Sequence, residues 1–485
     1  MLYCRPLVAN RPPRSLDIYL IAIGGTGVAP LACLLKEQGH RVRGSDGPLY
    51  PPMSTLLETA GIEAHEGYNP AHLDPRPDLV IIGNAVPRTN PEAEEVERLG
   101  LERISMPEAL YRFFLEGRRP LVVTGTHGKT TTTAMAAWVY LRCNADPGFL
   151  IGGLPKDLSR NFRAGGGARF IVEGDEYNAA YFDRGPKFFH YRPQTLILTS
   201  VEFDHADLYP DAEAVERVFG ELVERLPQEA LLIACGDSPD VRRVASRAKC
   251  KTISYGLDHA NDLHPTATPD TDADSTRFEL IDPDDGEVTV RLSLAGHHNV
   301  QNALAVWAAA RADGYPAETV AAALGSFGGV KRRLELVGRP RGIAVLDDFA
   351  HHPTAVAKTL EGLKARFPMR RLLVAFEPRS LTTARNLFFA EYCEAFKRAD
   401  RVFFAPIYYA ARIEANEQLD LAGISRNLAR SGRPAVLTTG IDELLSRLAD
   451  EAQPGDVIVT MSSGSFDGLP HRLAKALEEV TKTAP

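Results

Sequence analysis

The stretch Arg119–Leu141, RPLVVTGTHGKTTTTAMAAWVYL, decides the fold of the central part of the chain. Its apolar start predicts a buried strand, its glycines predict a tight turn, and the residues after Lys129 favour a helix. In such a unit the backbone N–H groups bind phosphate, the lysine adds positive charge and a threonine hydroxyl suits magnesium. Val123 stands where the usual G-x-x-x-x-G-K-[ST] pattern has its first glycine, which indicates a shorter loop.

We therefore predict an ATP-binding loop, with a glycine turn and an accidental lysine as the alternative. The residues expected to bind the nucleotide here are Gly125, Thr126, His127, Gly128, Lys129, Thr130 and Thr131. We further expect His127 to donate to the phosphates or the carboxylate of a second substrate, and the alternative is a loop residue that faces solvent.

Two later apolar runs end in groups that could act beside this loop. ARFIVEGDEYNAAYFD carries Glu173, the preferred oxygen ligand for a magnesium ion, and TLILTSVEFDHADLY carries His205. Because parallel strands present their carboxyl ends at one edge of a sheet, we expect Thr130, Glu173 and His205 to converge. The alternative for Glu173 is a solvated acid at the end of a strand, and the alternative for His205 is a structural role.

The first part of the chain predicts a second phosphate-binding turn. IAIGGTGVAPLACLLKEQGHRVRGSD reads as a strand, a glycine turn, a helix and a second strand. The residues assigned to this turn and to the acid after it are Gly24, Gly25, Thr26, Gly27 and Asp46. Taken alone the turn would also fit a dinucleotide-dependent dehydrogenase, which would leave Lys129 without a role.

Strand-like and helix-like runs alternate almost throughout, so the fold class is α/β with parallel sheets covered by helices. At 485 residues the chain has room for about three domains of ~150 residues each. We predict domains over 1–117, 118–330 and 331–485. Within the second, the Asp-, Pro- and Thr-rich segment Asp262–Leu294 predicts a solvated hairpin without chemistry.

The composition excludes several classes of partner. A net charge of -8 makes nucleic acid an unfavourable ligand, and the apolar run near the N-terminus is broken by glycines and Pro30, which argues against membrane insertion. The six scattered cysteines form no C-x-x-C pair, so we expect free thiols and a cytoplasmic protein.

Motifs along the chain resemble those of the Mur ligase family, the ATP-dependent amide-forming enzymes of peptidoglycan synthesis. The motifs are GTHGKTTT, EGDEYNAAYFD, EFDHADLY, LAGHHNVQNALAV, KRRLELVG and DDFAHHPTAV. The resemblance spans the chain from about Asp17 and implies a Rossmann-like N-terminal domain that binds a UDP-sugar, a central P-loop ATPase domain and a Rossmann-like C-terminal domain that holds the incoming amine. It also implies that the second phosphate-binding turn serves uridine diphosphate.

The same resemblance implies roles for individual residues. Thr130, Glu173 and His205 would be metal ligands, and Lys129, His205 and His351 would act in catalysis. Asn299 and Asn302 would lie by the adenine, with Arg332 and Asp347 near the ribose and phosphates. Several family members carry a carboxylated lysine after the His-x-Asp motif, but HADLYPDAEAVERVFG contains no lysine, so a second metal would be held without it.

Three segments resemble the branch of the family that accepts a murein tripeptide: GSDGPLYPPMSTLLE, PDLVIIGNAVPRTNPE and FEPRS. The implied reaction joins L-alanyl-γ-D-glutamyl-meso-diaminopimelate to UDP-N-acetylmuramate with ATP and Mg²⁺, as in peptidoglycan recycling. The residues expected to contact these substrates, beyond the glycine turn, Asp46 and His127, are Asn84, Asn178, Glu377, Arg379 and Ser380. The alternatives are L-alanine as the acceptor, or a nucleotide-driven sensor that hydrolyses ATP without forming an amide.

Glu377 and Arg379 also favour a zwitterionic acceptor on physical grounds. The forked guanidinium suits a carboxylate, and a carboxylate suits a peptide amine. The alternative for this pair is a strand-end salt bridge.

Overall fold

The computed structural model describes residues 15–206, 208–272 and 275–479, so Cys4 and Asp207 lie outside the described residues. The strands are β1 (Asp17–Ile21), β2 (Arg41–Asp46), β3 (Glu63–Glu66), β4 (Leu79–Ile82), β5 (Arg103–Ser105), β6 (Arg119–Thr124), β7 (Gly148–Leu150), β8 (Phe162–Arg163), β9 (Arg169–Gly174), β10 (Thr195–Leu198), β11 (Leu231–Cys235), β12 (Lys251–Tyr255), β13 (Asp270–Thr271), β14 (Thr276–Asp282), β15 (Gly286–Leu292), β16 (Glu335–Gly338), β17 (Ala344–Asp348), β18 (Leu372–Phe376), β19 (Arg401–Phe404), β20 (Ala435–Leu437) and β21 (Val457–Met461).

The α-helices alternate with these strands, as the α/β prediction requires. They are α1 (Val28–Glu37), α2 (Met53–Thr59), α3 (Pro91–Leu99), α4 (Met106–Leu110), α5 (Lys129–Arg142), α6 (Ala212–Glu224), α7 (Pro239–Ala245), α8 (His297–Ala312), α9 (Ala317–Gly325), α10 (Pro353–Arg366), α11 (Phe389–Phe396), α12 (Leu421–Arg430), α13 (Ile441–Glu451) and α14 (Leu469–Glu479).

The N-terminal sheet is parallel, with the order β3-β2-β1-β4-β5. Its central strand β1 is almost fully buried, which explains the unbroken apolar run in the sequence. Asn90 precedes α3, and its side chain accepts hydrogen bonds from the backbone N–H groups of Glu92 and Ala93, with Pro91 in the first turn. The glycine turn that follows β1 leads into α1, as the sequence predicts.

The central sheet has the order β12-β11-β10-β6-β9-β7-β8 and is parallel except for the pairing of β7 with β8. Strand β6 lies between β9 and β10. The strand before the P-loop therefore has as its neighbours β9, which contains Glu173 near its end, and β10, which precedes the loop that carries His205. This order brings the three strand ends together at one edge of the sheet.

The hairpin predicted in Asp262–Leu294 is present as the antiparallel sheet β13-β14-β15, but the expectation that it is solvated is wrong. Alternate residues of β14 and β15 are buried, among them Phe278, Leu280 and Val290. The buried face packs against the central domain because the strands contact α8 and α9. Polar composition concealed this alternation of buried and exposed positions.

The C-terminal sheet has the order β16-β17-β21-β18-β19-β20. All its pairings are parallel except that of β16 with β17, an antiparallel edge strand that the sequence analysis did not predict. Arg332 and Leu334, just before β16, both have positive φ angles, of 59° and 49°. The chain therefore enters this domain through an unusual backbone turn. The domain boundaries after residues 117 and 330 stay predictions.

Two general expectations concern the chain as a whole. Within the described residues the cysteines are all free, in agreement with the expectation of unpaired thiols. In the same part of the chain, no helix combines the length and apolar character needed to cross a membrane.

Candidate functional site

The P-loop is a close-packed turn between β6 and α5. Gly125 has a φ of 130°, and a Cβ at this position would lie 2.3 Å from Thr199 Oγ1, so only glycine fits. Gly128, with a φ of 83°, is the residue before α5, which begins at Lys129. The Lys129 Nζ group donates to the carbonyl oxygen of Gly125 at 2.6 Å, which closes the loop on itself.

The predicted convergence of three strand ends is present. Thr130 Oγ1 donates to Glu173 Oε2 at 3.0 Å. Lys129 Nζ lies 2.9 Å from Glu176 Oε2, and His205 Nε2 lies 3.3 Å from Glu176 Oε1. Glu176 therefore connects the P-loop with His205 in the loop after β10. His205 has a φ of 55°, an unfavourable backbone conformation of the kind that often occurs at functional sites.

Charge and burial oppose each other in this cluster. Burial raises the pKa of Glu176, but Lys129 and His205 outweigh it and lower that pKa to about 2. Burial disfavours the charge on Lys129, yet Glu176 and Asp175 raise its pKa above the ordinary value. Glu173 differs, because burial and then Asp175 raise its pKa. A cation beside Glu173 would offset that cost, and its carboxylate and the Thr130 hydroxyl are hard oxygen donors.

His127 faces Glu202 and His352. Its Nε2 atom is buried without a hydrogen-bond partner and lies 3.4 Å from Glu202 Oε2. The His127 and His352 rings are 4.8 Å apart between centroids. His351 turns away from this group, with Nδ1 at 3.0 Å from the carbonyl oxygen of Phe349.

The residues predicted near the nucleotide lie around the P-loop and the turn into the C-terminal domain. Asn302 Oδ1 accepts from Thr132 Oγ1 at 3.0 Å, which places Asn302 against α5. Asn299 is the third residue of α8 and is buried. Arg332 Nε donates to Asp347 Oδ2 at 3.1 Å, so these two predicted residues form an ion pair.

The predicted acceptor residues lie at the end of β18. Glu377 is buried and accepts hydrogen bonds from Ser462 Oγ and Arg379. The Arg379 guanidinium also lies 3.6 Å from the centroid of the Tyr408 ring. Glu377 and Arg379 are therefore paired with each other, the arrangement that the salt-bridge alternative describes.

One continuous cavity of about 2090 Å³ connects most of these groups. Of the predicted residues, those that line it are Gly25, Thr26, Gly27, Asn84, Thr126, His127, Gly128, Lys129, Thr130, Thr131, Glu173, His205, Asn299, Asn302, Arg332, Asp347, His351 and Ser380. Those that do not line it are Gly24, Asp46, Gly125, Asn178, Glu377 and Arg379. The cavity thus extends from the N-terminal glycine turn across the P-loop to the C-terminal domain.

Gly24, Asp46 and Asn178, which lie outside the cavity, make contacts within the loops around it. Asp46 Oδ2 accepts from the backbone N–H of Gly24 at 2.7 Å, and its Oδ1 accepts from Tyr68 at 3.0 Å, so Asp46 holds the glycine turn in place. Asn178 follows β9 in a loop and forms a backbone bridge with Pro186. Neither Asp46 nor Asn178 presents itself to the cavity in this structure.

The fold brings two further residues to the P-loop. In the acidic run EGDE the sequence offers Glu173, Asp175 and Glu176, of which Glu173 is preferred, but Glu176 is the one that contacts both Lys129 and His205. Arg333 reaches Thr130 Oγ1 at 3.4 Å and packs over the Phe349 ring, and the paired arginines of KRR gave the only signal for it. Glu176 and Arg333 both lie in loops, and the pattern of strands and helices in a sequence does not specify the geometry of loops.

Three domain models of one family together match nearly the whole chain. Residues 17–118 match the Mur ligase family catalytic domain, residues 123–310 the Mur ligase middle domain and residues 332–464 the Mur ligase glutamate ligase domain. The chain is 38% identical to the UDP-N-acetylmuramate–L-alanyl-gamma-D-glutamyl-meso-2,6-diaminoheptandioate ligase of Escherichia coli strain K12, over 96% of this chain and 99% of that protein.

Two further proteins extend the comparison. The UDP-N-acetylmuramate–L-alanine ligase of Rubrobacter xylanophilus is 34% identical over 93% of this chain and 98% of its own length. The crystal structure of a murein peptide ligase from Psychrobacter arcticus 273-4 superposes with a TM-score of 0.72 at 34% identity, over 96% of this chain and 99% of that one. The chain therefore belongs to the Mur ligase family.

Proposed function

We propose that the protein is an ADP-forming, ATP-dependent ligase that joins L-alanyl-γ-D-glutamyl-meso-diaminopimelate to UDP-N-acetylmuramate. The lactyl carboxylate of the sugar nucleotide attacks the γ-phosphorus of ATP, which gives an acyl phosphate and ADP. The amine of the tripeptide then attacks the acyl carbon, and phosphate leaves as the amide bond forms. Phosphorylation is needed because a carboxylate lacks a leaving group that an amine can displace.

The continuous cavity is the observation that carries this proposal. A two-step ligation needs the sugar nucleotide, the γ-phosphate and the amine within reach of one another, since the acyl phosphate must meet its acceptor before water does. Gly25 of the N-terminal turn, Lys129 of the P-loop and Ser380 of the C-terminal domain all line the same space. That arrangement supports a reaction between three bound substrates.

We assign the P-loop residues to charge neutralisation and positioning. Lys129 and the backbone N–H groups at the start of α5 would bind the β- and γ-phosphates and stabilise the charge that develops on them. Thr130 and Glu173 would hold Mg²⁺, which supplies further neutralisation of phosphate charge when bound. His205 lies beside Glu176 and borders the cavity, a position that supports a role close to the transferred group.

The acceptor assignment rests on the C-terminal domain and on the relatives. Release of Arg379 from Glu377 would give one forked cation and one anion at the end of β18, groups that suit a zwitterionic peptide. The relative from Escherichia coli, named for the tripeptide, is more similar to this chain than the L-alanine ligase from Rubrobacter xylanophilus, and this supports the tripeptide. We also propose a cytoplasmic enzyme, for which the free thiols are the support.

A substrate panel tests the function. The purified protein is incubated with ATP, Mg²⁺ and UDP-N-acetylmuramate, together with the tripeptide, L-alanine or no acceptor, and mass spectrometry identifies any amide product. We expect the tripeptide conjugate and ADP in equal amounts. Product with L-alanine alone would instead assign the protein to the L-alanine branch, and ADP release without any amide would favour the sensor.

A further inference from the structure

The feature that carries a further inference is a trio of side chains beside the P-loop, of which only His127 has an expected role in the ligase reaction. The ligand atoms of His127, Glu202 and His352 all lie within 4.8 Å of one another. Glu202 Oε2 is 3.4 Å from His127 Nε2 and 3.9 Å from His352 Nδ1. We propose that these three side chains bind a divalent transition-metal ion of the zinc class, at a site separate from Thr130 and Glu173.

The spacing fits such an ion. Zinc bonds to nitrogen and oxygen are about 2.0–2.2 Å long and tetrahedral, which places neighbouring ligand atoms about 3.3–3.6 Å apart. The His127–Glu202 distance of 3.4 Å already has this value, and His352 Nδ1, 3.9 Å from Glu202 and within 4.8 Å of the other ligand atoms, has to move closer to both. His127 Nε2 is also buried, and the polar atom that faces it is Glu202 Oε2 at 3.4 Å.

The surroundings hold the three ligands in place. His352 Nε2 lies 3.2 Å from the carbonyl oxygen of Phe203, the outer contact that usually fixes a metal-binding imidazole with its other nitrogen free. Its Nδ1 accepts only a long bond of 3.4 Å from the backbone N–H of Thr354, which a metal ion would displace. The Thr354 hydroxyl donates to Glu202 Oε2 at 2.6 Å and orients that carboxylate.

The ligand chemistry separates this site from the magnesium site. Imidazole nitrogen suits zinc, cobalt and nickel, whereas magnesium prefers oxygen and several water molecules. His127 and His352 both border the large cavity, so a fourth coordination position is open to water or substrate. His127 belongs to the P-loop and His352 precedes α10 of the C-terminal domain, so a bound ion would link the two domains.

A cobalt titration of the metal-stripped full-length protein tests the site without using activity. Co²⁺ is added in the presence of excess Mg²⁺, and visible d–d absorption reports a four-coordinate nitrogen and oxygen site. We expect one equivalent to bind with this absorption, and Zn²⁺ to abolish it. Since an outer-sphere contact alone is worth about 10- to 100-fold in metal affinity, His352→Asn should weaken Co²⁺ binding by about 100-fold or more.

His352→Asn should preserve the start of α10, because Asn is a favoured residue before a helix. Two further variants complete the experiment, and the first, Glu202→Gln, removes a second ligand independently. The matched control is His259→Asn, because His259 and His264 form an exposed pair with their Nδ1 atoms 3.1 Å apart. Absence of the visible band, a band that survives in both ligand variants, or its loss in His259→Asn would overturn the proposal.

Discussion

Lys129 is the residue on which nucleotide chemistry depends most directly. It is the first residue of α5, its charge is retained despite burial, and it faces the cavity. We predict that Lys129→Ala lowers the rate of amide formation by about 100-fold or more, the scale of losing one preorganised group that stabilises a transition state. The measurement is ADP release with all three substrates present.

The thermal midpoint and circular dichroism of Lys129→Ala provide the control for folding. Removal of Lys129 takes the main counter-charge from the buried Glu176 and leaves His205 as its ion-pair partner, so a loss of stability of up to about 3–5 kcal/mol is expected. Full ligase activity in this variant would contradict the assignment of the loop.

His298 gives a prediction about pH. Burial is the main cause that lowers its pKa to about 4, with Lys358 and His297 adding to the effect. In the unfolded chain a histidine has a pKa of about 6.5, so below that pH the unfolded state binds the additional proton. The stability that depends on neutral His298 is therefore complete above about pH 6.5 and declines as the pH falls towards about 4.

Tryptophan fluorescence can measure this effect in the domain that contains His298. The protein has two tryptophans, Trp138 and Trp307, and both belong to central-domain helices. When the pH is lowered from about 8 to about 5, the free energy of unfolding in urea should fall by about 2 kcal/mol more in the unmodified protein than in His298→Gln. His259→Gln, at an exposed position, is the control, and equal pH dependence in all three proteins would refute the prediction.

At the scale of elements, the strand ends were the most predictable part of the site. Glu173 lies near the end of β9, while Thr130 and His205 come after β6 and β10, and parallel strands bring such residues to one edge of the sheet. Glu176 and Arg333 were not predictable in this way, because their positions depend on the loops after β9 and before β16. The buried face of the hairpin was missed because its Asp and Thr content was weighed above its alternation.

The loop after β21 allows a test of the acceptor pocket. A Cβ on Gly464 would lie 2.1 Å from the Arg379 guanidinium, so Gly464→Ala must displace the end of that flexible side chain. We predict an increase in the KM for the tripeptide of about 10-fold or more, because a charged hydrogen bond is worth about 1.5–3 kcal/mol. The KM for ATP should change little.

Gly440→Ala is the matched control for this variant. Gly440 lies in the same domain, and an added Cβ there meets no atom within 4 Å. An unchanged KM for the tripeptide in Gly464→Ala would remove Arg379 from the acceptor site.

At the scale of the whole molecule, the substrates connect domains that have separate sheets. The N-terminal, central and C-terminal sheets share no strand, while one cavity runs between them. We predict that UDP-N-acetylmuramate and a non-hydrolysable ATP analogue together reduce the radius of gyration, because ligands that contact several domains favour their closure. Small-angle X-ray scattering with and without the ligands measures this change.

Lys129→Ala is the control for the scattering experiment, since weakened nucleotide binding should leave it in the ligand-free form. Identical scattering curves for the unmodified protein with and without both ligands would show that the domains do not move.

The ion pair of Lys129 with Glu176 also has a consequence for selectivity. Glu176 is a counter-ion that the protein itself supplies to the P-loop, so phosphate binding to Lys129 would exchange one anion for another. An ATP molecule compensates for this exchange through its base, ribose and remaining phosphates, whereas free orthophosphate has none of these contacts. We therefore expect the enzyme to tolerate the orthophosphate that its own turnover releases.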